Sequence, residues 1–130
     1  MNTQAMHEVS AETQAGRMTF PQVVRRLLEV GVESYFVDFA ARRKTYYTAE
    51  GETYTEEMVL RLDPVAEEFA SSELIAAIRG AQADTVRYPE FVRRSTAAGV
   101  AGYWAFLTGK KVVYFGRKGE WHTEEFPKGK

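Results

Sequence analysis

Residues 21–32 read PQVVRRLLEVGV and residues 89–100 read PEFVRRSTAAGV. Both phrases open on proline, carry Val-Arg-Arg at the same interval and close on Gly-Val, 68 positions apart. Sliding the chain by that offset aligns Thr19–Glu57 with Arg87–Glu125 without a gap. Thirteen of the 39 pairs are identical, among them Tyr35/Tyr103, Tyr46/Tyr114, Glu52/Glu120 and the run Thr55-Glu56-Glu57 against Thr123-Glu124-Glu125. At ordinary residue usage about two or three would match by chance. Phe20/Tyr88, Phe36/Trp104, Tyr47/Phe115 and Arg43/Lys111 are close in kind. Two copies are too few for a solenoid, so the pattern reads as a duplicated domain. One domain is expected over 1–130, with repeat 1 at about 1–62, repeat 2 at about 70–130, and LDPVAEEFASS around Pro64 as the joint.

Each copy spells the same elements. Thr19-Phe-Pro-Gln22 has the capping-box pattern, with Met18 and Val23 placed as a hydrophobic staple and Pro21 in the first turn, where no amide donor is needed. Phe20, Val23, Val24, Leu27 and Leu28 recur at helical spacing, and Gly31 ends the helix as a left-handed cap. In the second copy Arg87 replaces the capping Thr19, which leaves Asp84 or Thr85 as an earlier start. Earlier helices are expected over Asn2–Ala15 and Ser71–Gln82. After each glycine the residues turn aromatic and β-branched: GVESYFVDF, RRKTYYT and ETYTEEMVL, then GVAGYWAFL, KKVVYF and EWHTEEF. Turns are marked at Ala49–Gly51, Thr108-Gly109 and Arg117–Gly119. YWAFL is apolar on both faces, which makes it either a central strand or one beneath a cover or subunit interface.

Composition narrows the function classes. Apolar residues make up 45% and aromatics 13%, enough for one filled core. A net charge of −1 gives no general pull toward nucleic acid or anionic membrane. The chain has no cysteine, which excludes disulfides, thiolate metal sites and cysteine nucleophiles. MNTQAMHEVSAETQAGR has neither a basic start nor an apolar stretch, and no apolar run is long enough to span a bilayer. The expectation is a cytoplasmic protein without a membrane segment.

FPQVVRRLLEVGVESYFVDFAARRKTYYTAEGE and YPEFVRRSTAAGVAGYWAFLTGKKVVYFGRKGEW resemble the YdfO-like proteins, small bacterial and prophage-borne proteins of unknown function often labelled phage envelope protein. The resemblance spans about Phe20 to Phe126. It implies an α+β fold and hands over no catalytic motif and no active-site residues.

The candidate sites follow from the copies. Tyr46/Tyr114 and Glu52/Glu120 are repeat partners, and across a pseudo-two-fold they could converge on a shared cleft with His122. Paired carboxylates there could do acid–base work; the plainer reading is turn chemistry for Gly-Glu and half-buried sheet positions for the tyrosines. His122 sits beside Glu120, Glu124 and Glu125, a grouping fit for a hard metal or acid–base work, but a charged, solvated strand face explains it with no chemistry and is the preferred reading. No HExxH, EF-hand or phosphate-binding loop is present. The basic turns Arg42-Arg43-Lys44, Lys110-Lys111 and Arg117-Lys118 stand near aromatics, but Glu56-Glu57 and Glu124-Glu125 follow them and argue against nucleic acid.

The expected fold is therefore α+β: two ααβββ units about a pseudo-two-fold axis, with an antiparallel sheet, or one curling toward a barrel, covered by helices. The expected function is a non-catalytic domain, holding a small molecule or pairing with a protein, a second copy included, through Trp104 and Phe106. No cofactor and no metal are expected. The alternatives are a small hydrolase or isomerase using Glu52, Glu120, Tyr114 or His122, and an accessory nucleic-acid-binding prophage protein.

Overall fold

The computed structural model describes residues 1–127, so the last three residues of the expected second repeat lie outside it. Four helices and six strands follow in the order α1 (Thr3–Gln14), α2 (Phe20–Glu29), β1 (Val32–Asp38), β2 (Arg43–Thr48), β3 (Thr53–Glu57), α3 (Ser71–Gln82), α4 (Tyr88–Ala97), β4 (Val100–Phe106), β5 (Lys111–Gly116) and β6 (Trp121–Glu125). The chain is α+β, and each half supplies two helices and then a three-stranded meander.

Local chemistry sets the boundaries. The Thr19 amide donates to Gln22 Oε1 at 2.9 Å, and Pro21 falls in the first turn of α2. Arg87 stands where Thr19 does and makes no side-chain capping bond. Even so, α4 starts at Tyr88 and not at Asp84 or Thr85, because Asp84 takes a left-handed φ of 60° that separates α4 from α3. Arg87 instead donates to the Gly16 carbonyl at 2.9 Å, tying the start of α4 to the end of α1.

Gly31 and Gly99 turn the chain from helix to strand at φ of 88° and 89°, a region only glycine enters without strain. In the β1–β2 and β4–β5 turns the left-handed residues are Arg42 and Lys110, at 58° and 60°, and Gly109 is not the pivot. β3 stops at Glu57, short of the expected Met58–Leu60. The amides of Val59 and Leu60 both donate to the buried Gln14 Oε1, at 2.7 and 3.0 Å, which draws the chain off the sheet edge toward α1.

The strands form one open antiparallel sheet in the order β3-β2-β1-β4-β5-β6, with β3 and β6 as its edges rather than a closing barrel. The two meanders join through β1 and β4, whose pairing centres on Phe36 opposite Trp104. β4 is thus a central strand, one of the two alternatives its composition left open.

The core lies on one face of this sheet. Tyr35, Val37, Tyr46, Tyr103, Ala105 and Tyr114 join Met6, Val23, Leu27, Leu74, Ile78 and Phe91 in one continuous buried cluster. Each large aliphatic side chain buried there contributes about 1.5–3 kcal/mol. Phe36, Tyr47, Trp104, Phe106 and Phe115 point to the opposite face, outside that cluster.

Candidate functional site

Strand alternation and the pairing register set eighteen residues on the face the helices leave open. They form three rows across the six strands. One row runs Glu57, Arg43, Asp38, Gly102, Phe115, Trp121. The middle row runs Thr55, Thr45, Phe36, Trp104, Val113, Thr123, and the third Thr53, Tyr47, Ser34, Phe106, Lys111, Glu125.

Aromatic rings occupy one diagonal of this grid, from Tyr47 in β2 through Phe36 and Trp104 to Phe115 and Trp121. Trp104 is its hub: Phe36 lies 5.2 Å away, while Tyr47 and Phe106 each stack on it at 5.5 Å. Trp121, 69% exposed, ends the diagonal at the sheet edge. The indole Nε1 of Trp104 is covered and has no hydrogen-bond partner among the described residues. Charges fill the other two corners, Glu57, Arg43 and Asp38 at one and Lys111 with Glu125 at the other.

The residues expected to share a cleft are apart. Tyr46 and Tyr114 are buried on the helix-covered face, where burial drives both phenols up from their usual pKa. The Tyr46 hydroxyl donates to the Met6 carbonyl at 3.5 Å. Glu52 and Glu120 sit on the two outer hairpin turns, which the antiparallel β1–β4 pairing sends to opposite ends of the sheet. Glu52 lies 3.9 Å from the N-terminal amine, and Glu120 accepts from the Lys118 amide at 3.0 Å. His122 is half-buried on β6 with Nε2 3.1 Å from Glu124 Oε1, and Arg79 closes on the same carboxylate. Among the described residues no group of three His, Cys, Asp or Glu is placed to hold a metal ion. A shallow concavity of about 430 Å³ between α1 and α2, lined by Glu8, Glu12, Arg17 and Arg25 among others, contains none of the expected residues.

A second constellation lies beneath the helices. Lys44 is 3% exposed, with Nζ 3.4 Å from Ser10 Oγ and 5.8 and 5.6 Å from the centres of the Tyr35 and Tyr88 rings. Burial holds its pKa down to about 8, with Glu56 opposing the shift. Glu56 meets His7 Nδ1 at 2.9 Å and the Tyr54 hydroxyl at 3.1 Å, and its Oε1 is buried without a partner among the described residues. The Tyr88 and Tyr103 hydroxyls share a 2.8 Å hydrogen bond. The sequence held a signal for Lys44: in RKTYYT it alternates in phase with Tyr46 and Thr48, not with Arg43. Within their own strands the same period of two sets Phe36, Tyr47 and Phe115 out of phase with the buried positions, and the register brings them to the face of Trp104.

No protein-family model matches the chain, and no curated protein matches it.

Proposed function

We propose that this chain is a non-catalytic protein-interaction domain that docks through the open face of its sheet. The observation that carries the reading is the aromatic diagonal itself. Six aromatic side chains, both tryptophans among them, lie on a face that the buried cluster does not include. Sheets in helix-covered α+β domains ordinarily turn polar residues to water on the free side. Aromatic side chains collected on one exposed face mark an interaction surface. A small-molecule role is less well supported, since ligand sites are enclosed clefts, and the concavities between α1 and α2 and beside Glu73 and Arg94 are shallow and hold none of the aromatic residues.

Two further elements belong to this proposal. The halves are copies related by a near two-fold axis through the Phe36–Trp104 pair. In support, β1 and β4 pair so that Ser34 meets Phe106 and Asp38 meets Gly102, a register that reads the same when each residue is exchanged for the one 68 positions away. The repeated Gly-aromatic segments are also the ground for grouping the chain with the YdfO-like proteins.

The test is the double substitution Trp104→Ser/Phe106→Ser. It should abolish association while far-ultraviolet circular dichroism and cooperative melting remain. A chain that instead unfolds would show that this face is core, and the reading would fail.

A further inference from the structure

We infer that the occupant of the open face is a second copy of this chain, placed face to face about a two-fold axis lying along the aromatic diagonal. This rests on the interaction-domain reading above. Turning a copy about that diagonal lays ring on ring from Tyr47 through Trp104 to Trp121, as sheets pack in two layers about 10 Å apart. The same rotation carries the charged corners away from the overlap and leaves them at the rim, in water. An apolar centre inside a charged rim is the ordinary anatomy of a protein interface.

Charge also selects the partner. The face carries Arg43 and Lys111 against Asp38, Glu57 and Glu125, an excess of one negative charge. A phosphate backbone is repelled by that balance, because nucleic-acid affinity comes from cations that replace counterions. Each charged corner holds both signs, so no single-sign field steers a charged protein partner to it. The two corners that the rotation brings to the rim each hold both signs, so neither repels its counterpart in an isologous contact.

Size sets the strength. Six strands about 4.8 Å apart and three rows about 6.8 Å apart give a face of about 29 by 20 Å, or about 600 Å². With the charged corners outside the overlap, two copies together bury about 900 Å², in the range of weak, transient contacts. An interface of that size points to a reversible dimer, not an obligate one.

Both tryptophans lie on the diagonal, so the chain carries its own probe. Sedimentation equilibrium from 1 to 500 μM should show dimer giving way to monomer on dilution, with tryptophan emission shifting to the red over the same range. Thr45→Lys and Val113→Lys, made separately, place a cation in the half-exposed middle row without touching the helix-facing core. Each should raise the dissociation constant at least tenfold with the circular dichroism spectrum unchanged. A monodisperse, folded monomer at 500 μM overturns the inference, and so does a dimer that both lysine variants leave intact. Salt-sensitive binding of a single-stranded oligonucleotide that quenches the tryptophans of the monomer gives the face another occupant and overturns it too. Folding of the Trp104→Ser/Phe106→Ser variant tests the broader reading independently of all these outcomes.

Discussion

Lys44 weakens this fold at neutral pH, and Lys44→Met should strengthen it. Moving a lysine from 10.5 to about 8 corresponds to about 3 kcal/mol of preference for the neutral amine, at about 1.4 kcal/mol per pH unit. Below pH 8 the folded chain carries the charged form and bears that penalty in full. Between about 8 and 10.5 the unfolded chain binds more protons than the folded one, so stability rises with pH until the penalty is gone. The groups around the amine are Ser10 on α1, Tyr35 on β1, Tyr88 on α4 and, through charge, Glu56 on β3. Met keeps the packing of the stem and gives up only the weak 3.4 Å bond to Ser10 and the attraction of Glu56. The net gain at pH 7 should therefore be about 2 kcal/mol, with a melting temperature higher by about 6 °C. Urea unfolding of both proteins at pH 7, 8, 9 and 9.5 measures the difference, which should shrink steadily above pH 8. A loss of stability in Lys44→Met at pH 7, or a difference indifferent to pH, would refute the reasoning and make Lys44 a well-paired structural cation.

Other outcomes are as specific. Gly99→Ala should be the more damaging of the two helix-end changes, by about 3 kcal/mol against about 1 for Gly31→Ala, in urea midpoints. Both have left-handed φ, but a Cβ at Gly99 would fall 2.1 Å from the Glu68 carbonyl oxygen, while one at Gly31 meets nothing within 4 Å. Gln14→Ala should cost about 2–4 kcal/mol by stranding the Val59 and Leu60 amides, whereas its exposed repeat partner, in Gln82→Ala, should be nearly neutral. Above about pH 10 stability should fall again, because Tyr35, Tyr88, Tyr103 and Tyr114 are held protonated by burial while the unfolded phenols ionise. A melting curve followed from pH 8 to 11 should therefore pass through a maximum.

How far the sequence reached depended on whether the deciding contacts were local. The two Pro…Gly-Val phrases announced helix, left-handed turn and meander because capping, helical spacing and a positive φ act within a few residues. The joining of the meanders through β1 and β4 was not legible, since that register pairs residues 64 to 72 apart and no local rule links Phe36 to Trp104. For the same reason Glu52 and Glu120 looked convergent on paper: matching positions in two copies says nothing about which end of a sheet each reaches until strand polarity is known.

On the open face the halves keep Arg43 for Lys111 and Glu57 for Glu125, and differ where Asp38, Ser34 and Thr53 correspond to Phe106, Gly102 and Trp121. Beneath the helices the difference runs deeper. Lys44 and Ser10 in the first half stand where the second has Val112 and Ile78, both buried. The fold position evidently accepts a plain hydrocarbon, so the buried amine is not something the architecture demands. A burden of several kcal/mol carried in one half alone is what separates the interior beneath β2 from the outward face. The proposed docking face draws aromatic side chains from both halves, whereas the Lys44–Glu56–His7 group belongs to the first half alone. Substituting Lys44 should therefore change stability and its pH profile while leaving the dimer dissociation constant within a factor of about two, and a larger change would mean that interior and face are coupled through β2.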